Sequence, residues 1–234
     1  MRIIGKVLSL INYLLVYLQR KIYLLYLWRG REKGLIDDYH YFVKKEWVST
    51  EKEFGLWNHF YQTHPKLDIN GVRPTISRIN NYKLLDYVNK ESVILDIGCN
   101  TGFISSYLSD FVQSIDAVEY NKEVFLIASK TIDYLKIINV NLYNIDIKEF
   151  QCKYKYDLVM SFAIHRWVGI EVDEYLVLLE NFKKDKGFLI IESHPGDEDK
   201  LSLKRALTNS NLKIVSLGVT DDNLGHLRDF YILT

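Results

Sequence analysis

At 234 residues, with 48% hydrophobic and 26% charged side chains, the chain is sized for one α/β domain plus an extension, which excludes a disordered protein and two full domains. Three prolines exclude a Pro-rich linker. Two cysteines (Cys99 and Cys152), neither in ligand spacing with any of the six scattered histidines, exclude a disulfide framework and a structural zinc site.

The zero formal net charge is unevenly divided. Residues 1–34 carry Arg2, Lys6, Arg20, Lys21, Arg29, Arg31 and Lys33 against Glu32 alone, a net +6 balanced by −6 over the rest. That split aims the N-terminus at an anionic partner. The segment MRIIGKVLSLINYLLVYLQRKIYLLYLW predicts a helix with Ile4, Val7, Leu8, Ile11, Leu14, Leu15, Leu18, Ile22 and Leu25 on one broad face. Its longest uncharged run, residues 7–19, covers about 20 Å at ~1.5 Å per residue, short of the ~30 Å hydrocarbon core of a bilayer. A span is therefore not expected, and no small-residue cleavage site follows. The expectation is an interfacial helix on an anionic membrane surface, with Tyr13, Tyr17, Tyr23, Tyr26 and Trp28 at the headgroup level. Packing on protein is the alternative.

Residues 35–74 predict a cover ahead of the main domain, with His64-Pro65, Gly71 and Arg73-Pro74-Thr75 giving it fixed turns. From Thr75 the chain alternates helix and strand. Helices are predicted over 76–88, 102–111, 121–137, 171–184 and 200–209. Strands are predicted over 92–98, 114–120, 140–146, 155–163, 187–193, 212–219 and 227–234. Apolar strands alternating with helices belong in a parallel sheet covered on both faces. The last two strands are joined by DDNLGH, a hairpin connection. The predicted architecture is α/β: a Rossmann-like, mostly parallel seven-stranded sheet ending in an antiparallel hairpin, preceded by a helical N-terminal extension.

In such a sheet, ligands bind at the carboxyl ends of the strands. The first strand runs into VILDIGCNTGF, which places Asp96, Gly98, Asn100 and Gly102 there. Glycine lets a ligand approach the main chain, and the helix starting near Gly102 offers free N–H groups. The spacing is G-x-x-x-G, whereas a dinucleotide fingerprint is G-x-G-x-x-G, so a nicotinamide oxidoreductase is disfavoured. Glu119, at the end of the second strand, can accept from ribose hydroxyls. Asp146, at the end of the third, can accept from an adenine amino group.

On VILDIGCNTGF, VEYN, YNID, YDLVMSFAIHRW, GFLIIESH and the terminal hairpin, residues 75–234 resemble the class I S-adenosylmethionine-dependent methyltransferases. The resemblance implies S-adenosylmethionine as cofactor, held by Gly98 to Gly102, Glu119 and Asp146, with Asp96 supporting the loop and the methionine amino group. It also puts Ser161 beside the cofactor and lets Arg73 or Arg78 pair with the methionine carboxylate. Asn100 departs from the commoner glycine but is compatible with a left-handed backbone. HPKLDINGVRPT, SFAIHRW and ESH further resemble bacterial methyltransferases of cell-envelope glycan synthesis.

The loops after strands four and five, SFAIHRW and ESHPGDED, face the transferring methyl in this architecture. His165 and His194 are the candidate bases, since imidazole titrates near neutrality. Trp167 and Glu192 are candidate acceptor contacts. A helix cap for His165 and a core position for Trp167 are the competing structural roles. Methyl transfer requires in-line alignment, and a base only where the acceptor loses a proton. The expected function is methyl transfer to a hydroxyl of a saccharide or lipid-linked small molecule, without metal, at the cytoplasmic face of the membrane. The alternatives are an RNA methyltransferase, which the −6 remainder disfavours, and a non-catalytic partner keeping the fold.

Overall fold

The computed structural model describes residues 2–54, 60–221 and 227–234. Two compact units divide at His59 and Phe60. The boundary cuts the predicted 35–74 cover: residues up to 54 are helical, and residues from 60 belong with the sheet. Trp57, Asn58 and His59 of the cover, and residues 222–226 of the DDNLGH connection, lie outside the described residues.

The first unit holds α1 (Arg2–Glu32) and α2 (Asp38–Phe54), which pack together. Arg29 and Arg31 sit in the last turn of α1, where the helix dipole favours cations. Asp37 caps α2, accepting from the His40 backbone N–H at 2.7 Å. Leu27, Tyr39, Val43 and Trp47 are buried. The apolar stripe predicted from sequence is exposed: Leu8, Leu15, Leu18 and Ile22 are 61, 54, 56 and 60% exposed. Among the described residues, no helix is long and apolar enough to cross a membrane.

The second unit is built on seven strands: β3 (Val93–Ile97), β4 (Ser114–Val118), β5 (Val140–Tyr143), β6 (Tyr156–Phe162), β7 (Lys183–Glu192), β8 (Ile214–Thr220) and β9 (Arg228–Leu233). Their order is β5-β4-β3-β6-β7-β9-β8, parallel throughout except that β9 runs against both neighbours. This is the predicted architecture. Side chains alternate across it: Ile94 joins one core cluster, and Leu95 and Ile97 join the cluster on the opposite face. The order reverses beside β3, so the β3 and β6 exits open the crevice that gathers ligands in this topology.

The covering helices are α3 (Thr75–Asn81), α4 (Phe103–Leu108), α5 (Lys122–Tyr134), α6 (His165–Val168), α7 (Val172–Phe182) and α8 (Asp197–Asn209). The predicted 76–88 helix breaks at Lys83, whose φ of 53° is left-handed, and resumes only as a 3-10 turn. Ahead of them, β1 (Phe60–Gln62) and β2 (Gly71–Arg73) form a two-stranded parallel ribbon. It is seated on α4: Phe60 and His64 lie 6.1 and 4.9 Å from the Phe103 ring, centroid to centroid.

Candidate active site

The glycine loop after β3 is shaped by backbone angles and pinned by β4. Gly98 and Gly102 are left-handed, with φ of 68° and 74°, and Asn100 joins them at 55° as its sequence position required. A Cβ on Gly98 would fall 2.2 Å from Cδ1 of Ile164, so glycine is needed there for space as well as for angle. The Gly98 and Cys99 N–H groups donate to the Val118 carbonyl at 2.8 and 3.0 Å. Glu119 then grips the loop directly, accepting from the Asn100 N–H at 2.9 Å and from the Asn121 N–H at 2.8 Å. Asp96 is buried and accepts from the Ser105 hydroxyl. Burial pushes its carboxyl up to about 6, with the Ser105 bond and the Arg78 charge opposing. Asp146 is half-buried in the turn after β5 and accepts from the Lys148 N–H at 2.9 Å.

Two sequence candidates are fully buried and bonded to protein. Ser161, paired in the sheet with Ile97, has its hydroxyl 2.8 Å from the Tyr175 phenol of α7. Glu192, expected at the acceptor, is the centre of a closed ionic cluster. Arg73 reaches it through two nitrogens, at 3.2 and 2.9 Å, and Tyr82 and Thr220 donate at 2.5 and 2.6 Å. Arg78 and Arg228 stand at 3.7 and 3.6 Å. With its oxygens thus occupied and no exposed surface, Glu192 organises arginines and is closed to a substrate. Burial alone would raise its pKa; Arg73, Arg78 and Arg228 outweigh that and hold it at about 2. Arg73 is correspondingly committed to Glu192. Arg78, under 5% exposed, keeps one guanidinium nitrogen with no hydrogen-bond partner.

The candidate acceptor residues lie where β6 and β7 end. Ala163 turns the chain with a φ of 57°, a strained angle for a residue with a side chain, and its N–H is held by the Glu192 carbonyl at 3.0 Å. The next residue, Ile164, packs on Gly98. His165 therefore stands one residue from the cofactor loop. It is buried, with Nε2 2.9 Å from Oδ1 of Asp199. Its ring meets His194 edge-on at 5.2 Å. Burial lowers the His165 pKa, with Asp199 opposing, and burial and His165 hold His194 at about 4. Both shifts favour the neutral imidazole. Trp167 is 81% exposed and stands 6.2 Å from the His194 ring, so it is a surface platform and not core.

Buried polar atoms without hydrogen-bond partners gather at this end of the sheet: Arg78 Nη1, Asn100 Oδ1, Thr101 Oγ1, His165 Nδ1 and His194 Nε2. The cover adds Gln62 Oε1 and His64 Nδ1, the latter ring bonded through Nε2 to Ser106 at 2.8 Å. Leaving such groups unpaired costs about 1–3 kcal/mol each, so buried groups of this kind are ordinarily paired with protein, water or a ligand. Sequence reasoning gave no role to Gln62 or Asp199, and placed His64 in the cover and Thr101 within the Gly98 to Gly102 loop without singling out their side chains. Only Asp199 carried a signal, and that was hidden in the acidic stretch GDEDK.

A family model described as a methyltransferase domain matches residues 88–227, more than half of the chain. The chain belongs to that family. As a class I S-adenosylmethionine-dependent methyltransferase, it needs no dinucleotide fingerprint, which accounts for the G-x-x-x-G spacing. No curated protein sequence matches the chain. Among solved structures, an rRNA methylase from Streptococcus thermophilus shares 13% identity at a TM-score of 0.56, covering 69% of this chain and 96% of its own. A SAM-dependent methyltransferase from Thiobacillus denitrificans, in complex with S-adenosyl-L-homocysteine, shares 10% at 0.56, covering 68% and 90%. The magnesium protoporphyrin IX methyltransferase of Synechocystis, with bound SAH, shares 14% at 0.55, covering 68% and 81%. The rRNA methylase and the magnesium protoporphyrin IX methyltransferase are named for different acceptors, so the methyltransferase fold alone does not specify one. Among the described residues no His, Cys, Asp or Glu cluster could hold a metal ion.

Proposed function

We propose that this methyltransferase moves a methyl group to a hydroxyl of a saccharide or lipid-linked small molecule, while resting peripherally on the inner face of the membrane. The observation that carries the reading is His165: neutral, with Nδ1 unpartnered, one residue from the Ile164 contact with Gly98, and near the exposed Trp167. S-Adenosylmethionine supplies an activated methyl with a neutral sulfide leaving group. The chain's residues bind, align and deprotonate. Arg78 offers its unpartnered nitrogen to the methionine carboxylate, and Asp96 faces the ammonium. Glu119 would accept from the ribose hydroxyls, and Asp146 from the adenine amino group. Trp167 gives a flat apolar surface against which a sugar ring stacks. His165 takes the hydroxyl proton as the oxygen attacks, a contribution of about 10²–10⁴-fold for a positioned base.

Membrane association is supported by the outward-facing apolar stripe of α1 and the +6 charge of residues 1–34. The test is methyl transfer from labelled S-adenosylmethionine to extracted membrane lipids and glycolipids. Label is expected in an ether linkage. His165→Gln should cut the rate by about 10²–10⁴-fold while cofactor affinity stays unchanged. Label on nitrogen or in RNA, or an undiminished rate in the variant, would overturn the reading.

A further inference from the structure

The proton that His165 is asked to take can be received only if the imidazole keeps one tautomer, and the structure shows what selects it. Asp199, 9% exposed at its side chain, comes from the first turns of α8 and uses both oxygens. Oδ1 lies 2.9 Å from His165 Nε2, and Oδ2 accepts the His194 backbone N–H at 2.7 Å. The carboxylate thus ties the β6 exit to the β7 exit, with the Arg166 guanidinium 3.7 Å from the same Oδ1. The titratable groups around His165 are Asp199 from α8, Arg166 from its own helix and His194 from the β7 exit. A carboxylate can only accept, so it fixes the proton on Nε2 and leaves the Nδ1 lone pair open.

We propose that Asp199 is a positioning residue that holds His165 in the Nε2–H tautomer and makes Nδ1 the base. The inference rests on the proposed role of His165. As the C–O bond forms and the C–S bond breaks, the hydroxyl proton passes to Nδ1, the sulfide leaves uncharged, and Asp199 remains ionised beside the imidazolium. His194 takes no proton in this step; its backbone is needed to aim Asp199.

The second hydrogen bond makes one substitution informative. In Asp199→Asn the His194 N–H, a donor, draws the amide oxygen to itself, and the amide NH₂ then faces His165 Nε2. That nitrogen must become the acceptor, which moves the ring proton to Nδ1 and removes the base. The shape of the site is kept.

The experiment is ¹⁵N–¹H correlation of the histidine rings in the full chain at neutral pH. Wild type is expected to show His165 with its proton on Nε2, and Asp199→Asn with its proton on Nδ1. Asp199→Ala should show a mixture of the two. Methyl transfer by Asp199→Asn should fall by about 10²–10⁴-fold in kcat with KM for S-adenosylmethionine unchanged. An Nδ1–H ring in wild type overturns the proposal without any variant, and so does an unchanged tautomer in Asp199→Asn. If His165→Gln keeps full activity, the base reading fails by itself. If His165→Gln is inactive and Asp199→Asn is fully active, only the present inference fails.

Discussion

One carboxylate, Glu119, both shapes the cofactor loop and is proposed to bind ribose. Its bond to the Asn100 N–H holds a left-handed residue in place, so its loss loosens the loop as well as deleting a ligand contact. Hydrogen bonds involving a charged group contribute about 1.5–3 kcal/mol. Glu119→Ala should therefore weaken S-adenosylmethionine binding by roughly 10–150-fold, read by calorimetry; an unchanged affinity would remove Glu119 from the site. The places of Asp96, Gly98, Asn100, Gly102 and Glu119 at the ends of β3 and β4 were legible because strand ends and glycine spacing fix them locally. Glu192 was misread and Asp199 missed for the converse reason. Their partners Arg73 and His165 lie 119 and 34 residues away, and one chain carries no trace of such pairings.

The elements divide in the same way. The seven strands stood out as apolar runs between turn residues, and the antiparallel end followed from the short last connection. The ribbon β1–β2 has three residues per strand, too few for any periodicity to register. Helix α2 mixes aromatic and charged residues with a weak apolar pattern, and its start depends on the Asp37 cap. The stripe on α1 was visible in the sequence, and its residues are exposed. Leu15 and Ile22, seven residues apart, share that exposed side. Leu15→Asp combined with Ile22→Asp should abolish co-sedimentation with anionic phospholipid vesicles and leave cofactor affinity unchanged. Persistent sedimentation would contradict the membrane assignment and favour a protein partner for α1.

At the scale of the molecule, the buried ionisable groups set an acid limit. His64 and His194 are both held near 4, below their ordinary 6.5, mainly by burial. Each contributes stability that is complete above pH 6.5 and is lost as pH falls toward 4. Asp96 acts in the opposite direction, since its carboxyl is raised from 3.8 to about 6 and favours the folded state as pH falls through that window. Two histidines outweigh one carboxyl, so Tm should decline modestly from pH 6.5 to 4. It should then drop further between 4.5 and 2, where Glu192, depressed to about 2, finally takes its proton and releases three arginines. Glu192→Gln strands those cations at neutral pH and should cost about 3–5 kcal/mol in chemical denaturation; a loss under 1 kcal/mol would mean that the cluster is not what joins β7, β9 and α3. The most direct measurement of the whole account is calorimetric titration of the intact protein with S-adenosylmethionine and, separately, with NAD. Saturable one-site binding of the first and none of the second is the expected result. Binding of NAD, or of neither, would contradict the assignment of the VILDIGCNTGF loop as a methyl-donor site.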